Sequence, residues 1–143
     1  MARTIFINLP VADVARATAF YAAVGATQDM RFSNDRASMM AFSDTIAVML
    51  LAHDFFATFT TRPIADARNT AGMLLCLSAD SRADVDAMVE RAGGAGGATD
   101  PCPRQDHGAM YGRSFEDPDG HIWETMWMDV AAMTGAPAEA VDA

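Results

Sequence analysis

The order of predicted elements repeats along the chain, and this repeat limits the possible folds more than any other feature of the sequence. Alternating apolar residues indicate strands, and apolar residues three and four positions apart indicate helices. In the first half these patterns predict a strand, a helix and three strands, at about 3–9, 13–24, 28–32, 37–42 and 45–52. In the second half they predict the same order, at about 73–78, 81–92, 95–99, 110–116 and 121–128. The identity between the halves is too low to prove a duplication, but the shared order predicts one α+β domain built from two similar units.

Proline, glycine and short polar residues mark the ends of these elements. Pro10 is predicted to end the first strand, because proline has no N–H to donate to a ladder. Asp13 is a suitable N-cap for the first helix, and Asp80 or Ser81 for the second. Glycines are predicted to end both helices, at Gly25 and at the pair Gly93 and Gly94.

These boundaries divide the chain into module one at about 3–52, a connector at 53–71, module two at about 72–128 and a tail at 129–143. The last two strands are joined by a strong turn signal at 117–120, Asp-Pro-Asp-Gly. The connector carries a cluster that is too apolar for a solvated loop and should pack on the domain or on a partner chain, namely Phe55, Phe56 and Phe59. The alanine-rich tail is expected to fray.

Charge and composition exclude several classes of function. The 143 residues are 51% hydrophobic and carry a net charge of −9, so the chain has material for a core and a surface that repels phosphate backbones and anionic lipids. We therefore expect neither nucleic acid nor a membrane as a partner. No apolar run approaches the roughly 20 residues of a spanning helix, and the first residues lack the pattern of a signal peptide, which favours a cytoplasmic location. Cys76 and Cys102 have no metal-type spacing, and Cys76, which lies in an apolar run, is expected to be buried.

Two stretches of the sequence resemble a known family. The opening Leu-Pro-Val-Ala-Asp at 9–13, followed by Arg16 and Phe20-Tyr21, is similar to the start of proteins of the vicinal oxygen chelate superfamily. The closing Phe-Glu-Asp-Pro-Asp-Gly-His-Ile-Trp-Glu at 115–124 resembles the end of the same proteins. The superfamily includes glyoxalase I, the bleomycin and fosfomycin resistance proteins and extradiol dioxygenases. The run from 105 to 129 is most similar to a bacterial glyoxalase-like branch, and the resemblance covers about 3–129.

The resemblance implies a definite architecture and site. Two βαβββ modules would form a cupped, open, barrel-like mixed sheet with helices outside, and members usually work as homodimers. In the enzymes of the superfamily a divalent metal sits in the cup, held by histidine, glutamate or glutamine from the first and last strands of each module.

Carried over to this chain, the four ligand positions fall at Phe6, Met49, Leu74 and Glu124. Of these side chains only the Glu124 carboxylate suits a hard or borderline metal, because phenyl and isobutyl groups offer no donor and a thioether suits soft metals. No cofactor is therefore predicted at the family position. A divalent metal bound at an atypical position stays open if the protein is an enzyme.

Glu124 and His107 are the candidate general acid or base, because both are titratable and lie near the expected cup. Candidate ligand-binding residues lining the cup are Phe6, Asn8, Met49, Leu74, Tyr111, Arg113 and Met126. If Glu116 faces His121 across the last hairpin, Arg113 lies opposite Glu124, and Tyr111 opposite Met126. This register predicts an Arg113–Glu124 ion pair inside the cup.

Three functions are consistent with these features. The first is a metal-free small-molecule-binding protein of the glyoxalase/bleomycin-resistance type, favoured by the missing metal ligands and an apolar cup. The second is a lyase, isomerase or dioxygenase-like enzyme that uses Glu124 with His107 or Tyr111, or a metal at an unusual place. The third is a dimeric structural or regulatory module without a ligand. No feature of the sequence names a substrate.

Overall fold

The first half of the chain folds into one four-stranded sheet with a helix on one face. The computed structural model describes residues 2–134. The elements of this half are β1 (Ile5–Val11), α1 (Val14–Ala23), β2 (Thr27–Asp29), a short 3-10 helix (Met30–Phe32), β3 (Ala37–Ala41) and β4 (Ile46–Ala52). Sheet A has the order β1-β4-β3-β2, in which β1 and β4 run parallel and the other neighbours antiparallel. The parallel pair is possible because α1 and two strands lie between β1 and β4 in the chain.

The second half repeats this arrangement after a connector that begins with a short helix, α2 (His53–Phe56). Its elements are β5 (Leu75–Ser78), α3 (Arg82–Gly94), β6 (Ala98–Thr99), β7 (Gln105–Asp106), β8 (Met110–Glu116) and β9 (Ile122–Met128). Sheet B has the order β5-β9-β8-β6, with β7 also paired to β8. The predicted α+β fold built from two similar modules is confirmed. Each module forms its own mixed sheet, and neither sheet closes into a barrel within the described residues.

The ends predicted at Pro10 and at the pair Gly93 and Gly94 are wrong. Pro10 lies inside β1 and pairs with Leu51, because β1 is an edge strand and the missing N–H faces no further strand. Of the two N-caps predicted for α3, Ser81 is the observed one, and its side chain accepts from the backbone N–H of Asp84. The helix also continues through Gly93 and Gly94, and Ala95 is its C-cap.

One core joins the two modules. The apolar side of α1 packs on sheet A and also meets residues of α3 and sheet B. Within the core, Phe20 lies against Phe115, and Tyr21 lies against Trp123 with ring centroids 6.0 Å apart. The face of each sheet that contacts α1 or α3 is therefore buried, and the opposite face, which we call the helix-free face, is the one left to form a site.

The connector packs in part on the domain, and the tail begins with a helix. The rings of Phe55 and Phe59 pack edge to face at 5.1 Å, and the Arg36 guanidinium lies over Phe55. Phe55 and Phe56 are half-buried, whereas Phe59 stays exposed. The first part of the predicted frayed tail forms α4 (Val130–Thr134), and 135–143 lie outside the described residues. No helix in the described part of the chain has the length and hydropathy needed to cross a membrane.

Candidate functional site

The helix-free face of sheet A carries three of the predicted site residues. Leu9 and Val11 of β1 point into the core, so Phe6 and Asn8, which alternate with them, point the other way. Met49 is paired with Asn8 across the parallel β1–β4 ladder and shares this face. Phe6 is 55% exposed, so the face is apolar and open at this point.

The helix-free face of sheet B holds a pocket of about 210 Å³. Glu124 and Met126 of β9 line it, as does Cys76 of β5, which is paired with Glu124 in the parallel β5–β9 ladder. Met110 and Gly112 of β8 complete the floor and one wall. The pocket therefore combines one carboxylate with thiol, thioether and glycine surfaces.

The predicted ion pair between Arg113 and Glu124 is wrong. In the β8–β9 ladder Glu116 faces Ile122, so Arg113 faces Thr125, and Glu124 faces Ser114. The turn is one residue longer than predicted and runs from 117 to 121. Within it the backbone N–H of Asp117 donates to the carbonyl oxygen of His121. A shift of one residue moves every side chain to the other face of a strand. Arg113 and Glu124 consequently point to opposite sides of sheet B.

Arg113 instead anchors α3 to the sheet. Its buried guanidinium contacts Asp100 at 2.7 Å, Asp86 at 3.0 Å and Glu90 at 3.2 Å. Hydrogen bonds from Arg113, the largest effect, hold the pKa of Asp100 below its usual value. This network has a structural function on the helix side of the sheet, where it holds the Arg113 guanidinium.

Tyr111 also lies on the helix side. Its hydroxyl donates to Oδ1 of Asp86 at 2.6 Å, and its ring lies beneath the Arg82 guanidinium at 4.9 Å. Tyr111 faces Trp127 rather than Met126 in the ladder. Neither Tyr111 nor Arg113 can therefore place its polar group beside Glu124, although both were predicted to line one cup with it.

His107 and Asn8 lie at the margins of the site. The Nε2 atom of His107 is 3.2 Å from Oε1 of Gln105, and Gln105 lines the pocket while His107 does not. Asn8 borders a second, larger groove of about 480 Å³ between β1, the connector and the start of β9. The structure thus brings Glu124 and Met126 together in the pocket and leaves His107 at its margin. Tyr111 and Arg113 lie on the opposite face of sheet B, and Phe6, Asn8 and Met49 lie on sheet A.

The sequence missed several residues that build the pocket. Cys76 is exposed on the helix-free face rather than buried, because its neighbours Leu75 and Leu77 take the core side of the edge strand β5. Partial desolvation of the sulfur by the groups around it, followed by the negative charge of Glu124, raises the pKa of its thiol. The alternation of Leu75, Cys76 and Leu77 was the sequence signal that Cys76 points away from the core. No such signal marked Ser114 and Gln105 as pocket residues, because their position depends on the register of β8.

The family metal site does not fit this chain. Phe6 and Leu74 present hydrocarbon surfaces, and Leu74 is 48% exposed, while Met49 offers only a thioether. A lone carboxylate at Glu124 does not make the three or four donors that zinc, nickel or iron(II) require. No group of three or more histidine, cysteine, aspartate or glutamate side chains in the described residues is arranged to hold a metal ion.

The fold has many relatives among solved structures. A glyoxalase-related enzyme from Fulvimarina pelagi superposes with a TM-score of 0.75 at 20% identity, covering 91% of each chain. The fosfomycin resistance protein FosX from Mesorhizobium loti gives a TM-score of 0.66 at 18% identity, covering 93% of this chain and 98% of its own. A hypothetical protein from S. aureus gives 0.74 at 21% identity, covering 89% and 94%. At these identities the similarity shows the fold alone.

No curated protein matches the chain. Residues 4–125, however, match the family model described as the Glyoxalase/Bleomycin resistance protein/Dioxygenase superfamily, which spans both modules and ends just after Glu124. The sheet order of both halves agrees with the fold of the structural relatives. The chain therefore belongs to the glyoxalase/bleomycin resistance protein/dioxygenase superfamily.

Proposed function

We propose that this chain binds a small, partly apolar molecule in the pocket on the helix-free face of sheet B, and that it does so as a homodimer. The observation that carries the proposal is the pocket itself, in which Glu124 is surrounded by Cys76, Met110 and Met126. Ligand sites are concave, mostly apolar and contain a few convergent polar groups. The pocket has this composition, and its volume of about 210 Å³ is below the range for drug-sized ligands.

Gly112 in the floor of the pocket supports a binding role, because a glycine has no side chain to fill the space above it. A Cβ added at Gly112 would lie 3.8 Å from Cβ of Met126 and 3.5 Å from the carbonyl oxygen of Thr125, which are ordinary contacts. A Cβ would therefore fit the sheet, and a longer side chain at this position would point into the pocket that Gly112 lines. Glycine at position 112 leaves this part of the floor open.

Methionine is a suitable wall for such a pocket. Its side chain is flexible and polarizable and adapts to ligands of different shapes. Met110 lies two positions before Gly112 on β8, and Met126 lies directly across from Gly112 on β9. Their thioethers therefore border the space that a ligand would occupy.

An enzymatic function has weaker support. Glu124 lies in the pocket, but Tyr111 is on the other face of sheet B and is bound to Asp86. His107 contacts Gln105 at the pocket margin, and no contact among the described residues joins His107 to Glu124. A general acid–base pair needs its groups within reach of one substrate. We therefore favour binding over catalysis.

The homodimer is proposed from the apolar positions left exposed in one chain. Ile5, Phe6, Met73 and Leu74, at the beginnings of β1 and β5, are 48–63% exposed. Large apolar side chains left exposed on a folded chain favour an interaction surface. A second copy covering them would remove this surface from water.

The binding proposal can be tested with methionine-methyl NMR. Benzyl alcohol and 3-methylbutan-1-ol, two small neutral apolar probes, should shift the methyl signals of Met110 and Met126 and leave that of exposed Met30 unchanged. The Gly112→Leu variant should abolish these shifts by filling the pocket. Gly94→Leu is the matched control, because a Cβ at Gly94 meets nothing within 4 Å and lies away from the pocket. Shifts that survive in Gly112→Leu would show that the probes bind elsewhere.

A further inference from the structure

The charge in the pocket indicates what kind of molecule it takes. We infer that the ligand is a small amphipathic cation, an ammonium group on an apolar body, whose charged end pairs with the Glu124 carboxylate. This inference rests on the proposed binding function and adds the chemical class of the ligand.

Glu124 has no counter-ion within the described residues. No hydrogen bond or ion pair joins its carboxylate to residues 2–132, although the side chain is only partly exposed. Among the described residues that border the pocket, Arg113 is the one basic residue, and its guanidinium is held by Asp86, Glu90 and Asp100 on the other face. A half-buried carboxylate without a partner is costly, and a cationic ligand would remove that cost.

The neighbouring groups also disfavour other cations and anions. Glu124 lies beside Cys76 in the β5–β9 ladder and is the one carboxylate among the described residues that line the pocket, so the region around it is negative. An anion would be repelled there, and the net charge of −9 adds to this repulsion at long range. A bare metal ion would find one carboxylate among thioether, proline and glycine surfaces, which is a poor ligand set.

The remaining walls accept the apolar part of such a molecule. Met110 and Met126 give polarizable surfaces, and Pro103 closes one side. Polarizable sulfur next to a carboxylate suits an organic cation, because the apolar body is desolvated while the ammonium keeps an ionic partner. A neutral molecule of the same shape would bury the carboxylate without pairing it.

The test compares amines with alcohols of the same shape. Benzylamine is matched with benzyl alcohol, and 3-methylbutylamine with 3-methylbutan-1-ol, and each Kd is measured at pH 7 from the methyl shifts of Met110 and Met126. The amine of each pair should bind at least tenfold more tightly than the alcohol. Glu124→Gln should abolish this preference by weakening the amines and leaving the alcohols unchanged or tighter.

Glu116→Gln is the matched control for the loss of one negative charge. Glu116 lies on the same face of β8, two positions beyond Ser114, and does not line the pocket. This variant should keep the preference for amines. Equal binding of amine and alcohol, or a preference that survives Glu124→Gln, would overturn the cationic ligand and leave the binding function standing. If no probe of either kind shifts the two methyl signals, the binding function itself is wrong.

Discussion

The hydroxyl of Tyr21 donates a 2.6 Å hydrogen bond to Oδ2 of Asp117, and this buried contact joins the helix of module one to the last hairpin of module two. Trp123 Nε1 donates in turn to the Tyr21 hydroxyl at 3.0 Å. The other oxygen of Asp117 accepts the backbone N–H groups of Asp119 and His121. One carboxylate thus shapes the turn and holds it against α1.

Removing this hydroxyl should weaken the whole domain. Tyr21→Phe leaves a buried carboxylate oxygen of Asp117 and the Trp123 indole N–H without partners, so we expect a loss of about 1–3 kcal/mol in the free energy of unfolding. Urea denaturation monitored by tryptophan fluorescence would measure it. Tyr111→Phe is the control, because its acceptor Asp86 is about half exposed and can bind water instead. Equal costs for the two variants would contradict the structural importance given to Asp117.

The cluster around Arg113 should make stability depend on pH. Arg113→Met removes the shared cation of Asp86, Glu90 and Asp100, and we expect it to cost about 2–3 kcal/mol at pH 7. The expected loss in the free energy of unfolding is smaller than for breaking a fully buried ion pair, because the carboxylates keep contact with water.

The pH dependence follows from the carboxylates of the same cluster. Hydrogen bonds from Tyr111 first, and from Arg113, lower the pKa of Asp86, and Arg113 lowers that of Asp100. A lowered folded-state pKa gives stability that is present above the unfolded value of about 3.9 and is lost as the pH falls through the folded value. The difference between wild type and variant in urea melts should therefore shrink from pH 7 to pH 3. Arg91→Met, at an exposed position in the last turn of α3, is the control and should change little at either pH.

Two glycines near the end of α3 should respond in opposite ways to the same substitution. A Cβ at Gly97 would collide with the carbonyl oxygen of Glu116 and lie 2.7 Å from Cε1 of Phe20, so Gly97→Ala should destabilise the fold by several kcal/mol or prevent folding. A Cβ at Gly94 meets nothing within 4 Å, and Gly94→Ala should be neutral or stabilise by up to about 1 kcal/mol. Thermal melts of both variants would decide, and similar melting temperatures would argue against the close approach of β8 to this loop.

The proposed dimer predicts a different effect for two equally exposed phenylalanines. Phe6→Glu places a charge on the apolar surface at the start of β1 and should convert a dimer to a monomer. Phe32→Glu, at a position that is 57% exposed outside that surface, should leave the dimer intact. Size-exclusion chromatography with light scattering at micromolar concentrations measures both. A wild-type chain that is monomeric throughout this range would rule out the dimer.

The sequence by itself determined the local structure and the family. Asp13 caps α1 as predicted, and Gly25, with φ of +112°, ends the turn that follows. The strand β8 over Met110–Glu116 was predicted with its observed bounds, because alternation and turn residues are local signals that survive in any context. The lack of metal-ligand side chains at Phe6, Met49 and Leu74 is also a property of the sequence alone, since no fold can turn these side chains into ligands for a hard metal.

The tertiary structure decided which residues meet. Which residue of β9 faces Arg113 depends on the register of the β8–β9 ladder, and one residue more or less in the turn at 117–121 changes that register. No local sequence pattern fixes the number of residues in this turn. Pro10 stays in β1 only because its strand lies at a sheet edge, which depends on the order of strands far apart in the chain. Cys76 and Glu124 are 48 positions apart (124 − 76) and become neighbours through a parallel ladder. Such pairings depend on residues far apart in the chain, and they place Glu124 in the pocket while the Arg113 guanidinium lies on the other face of sheet B.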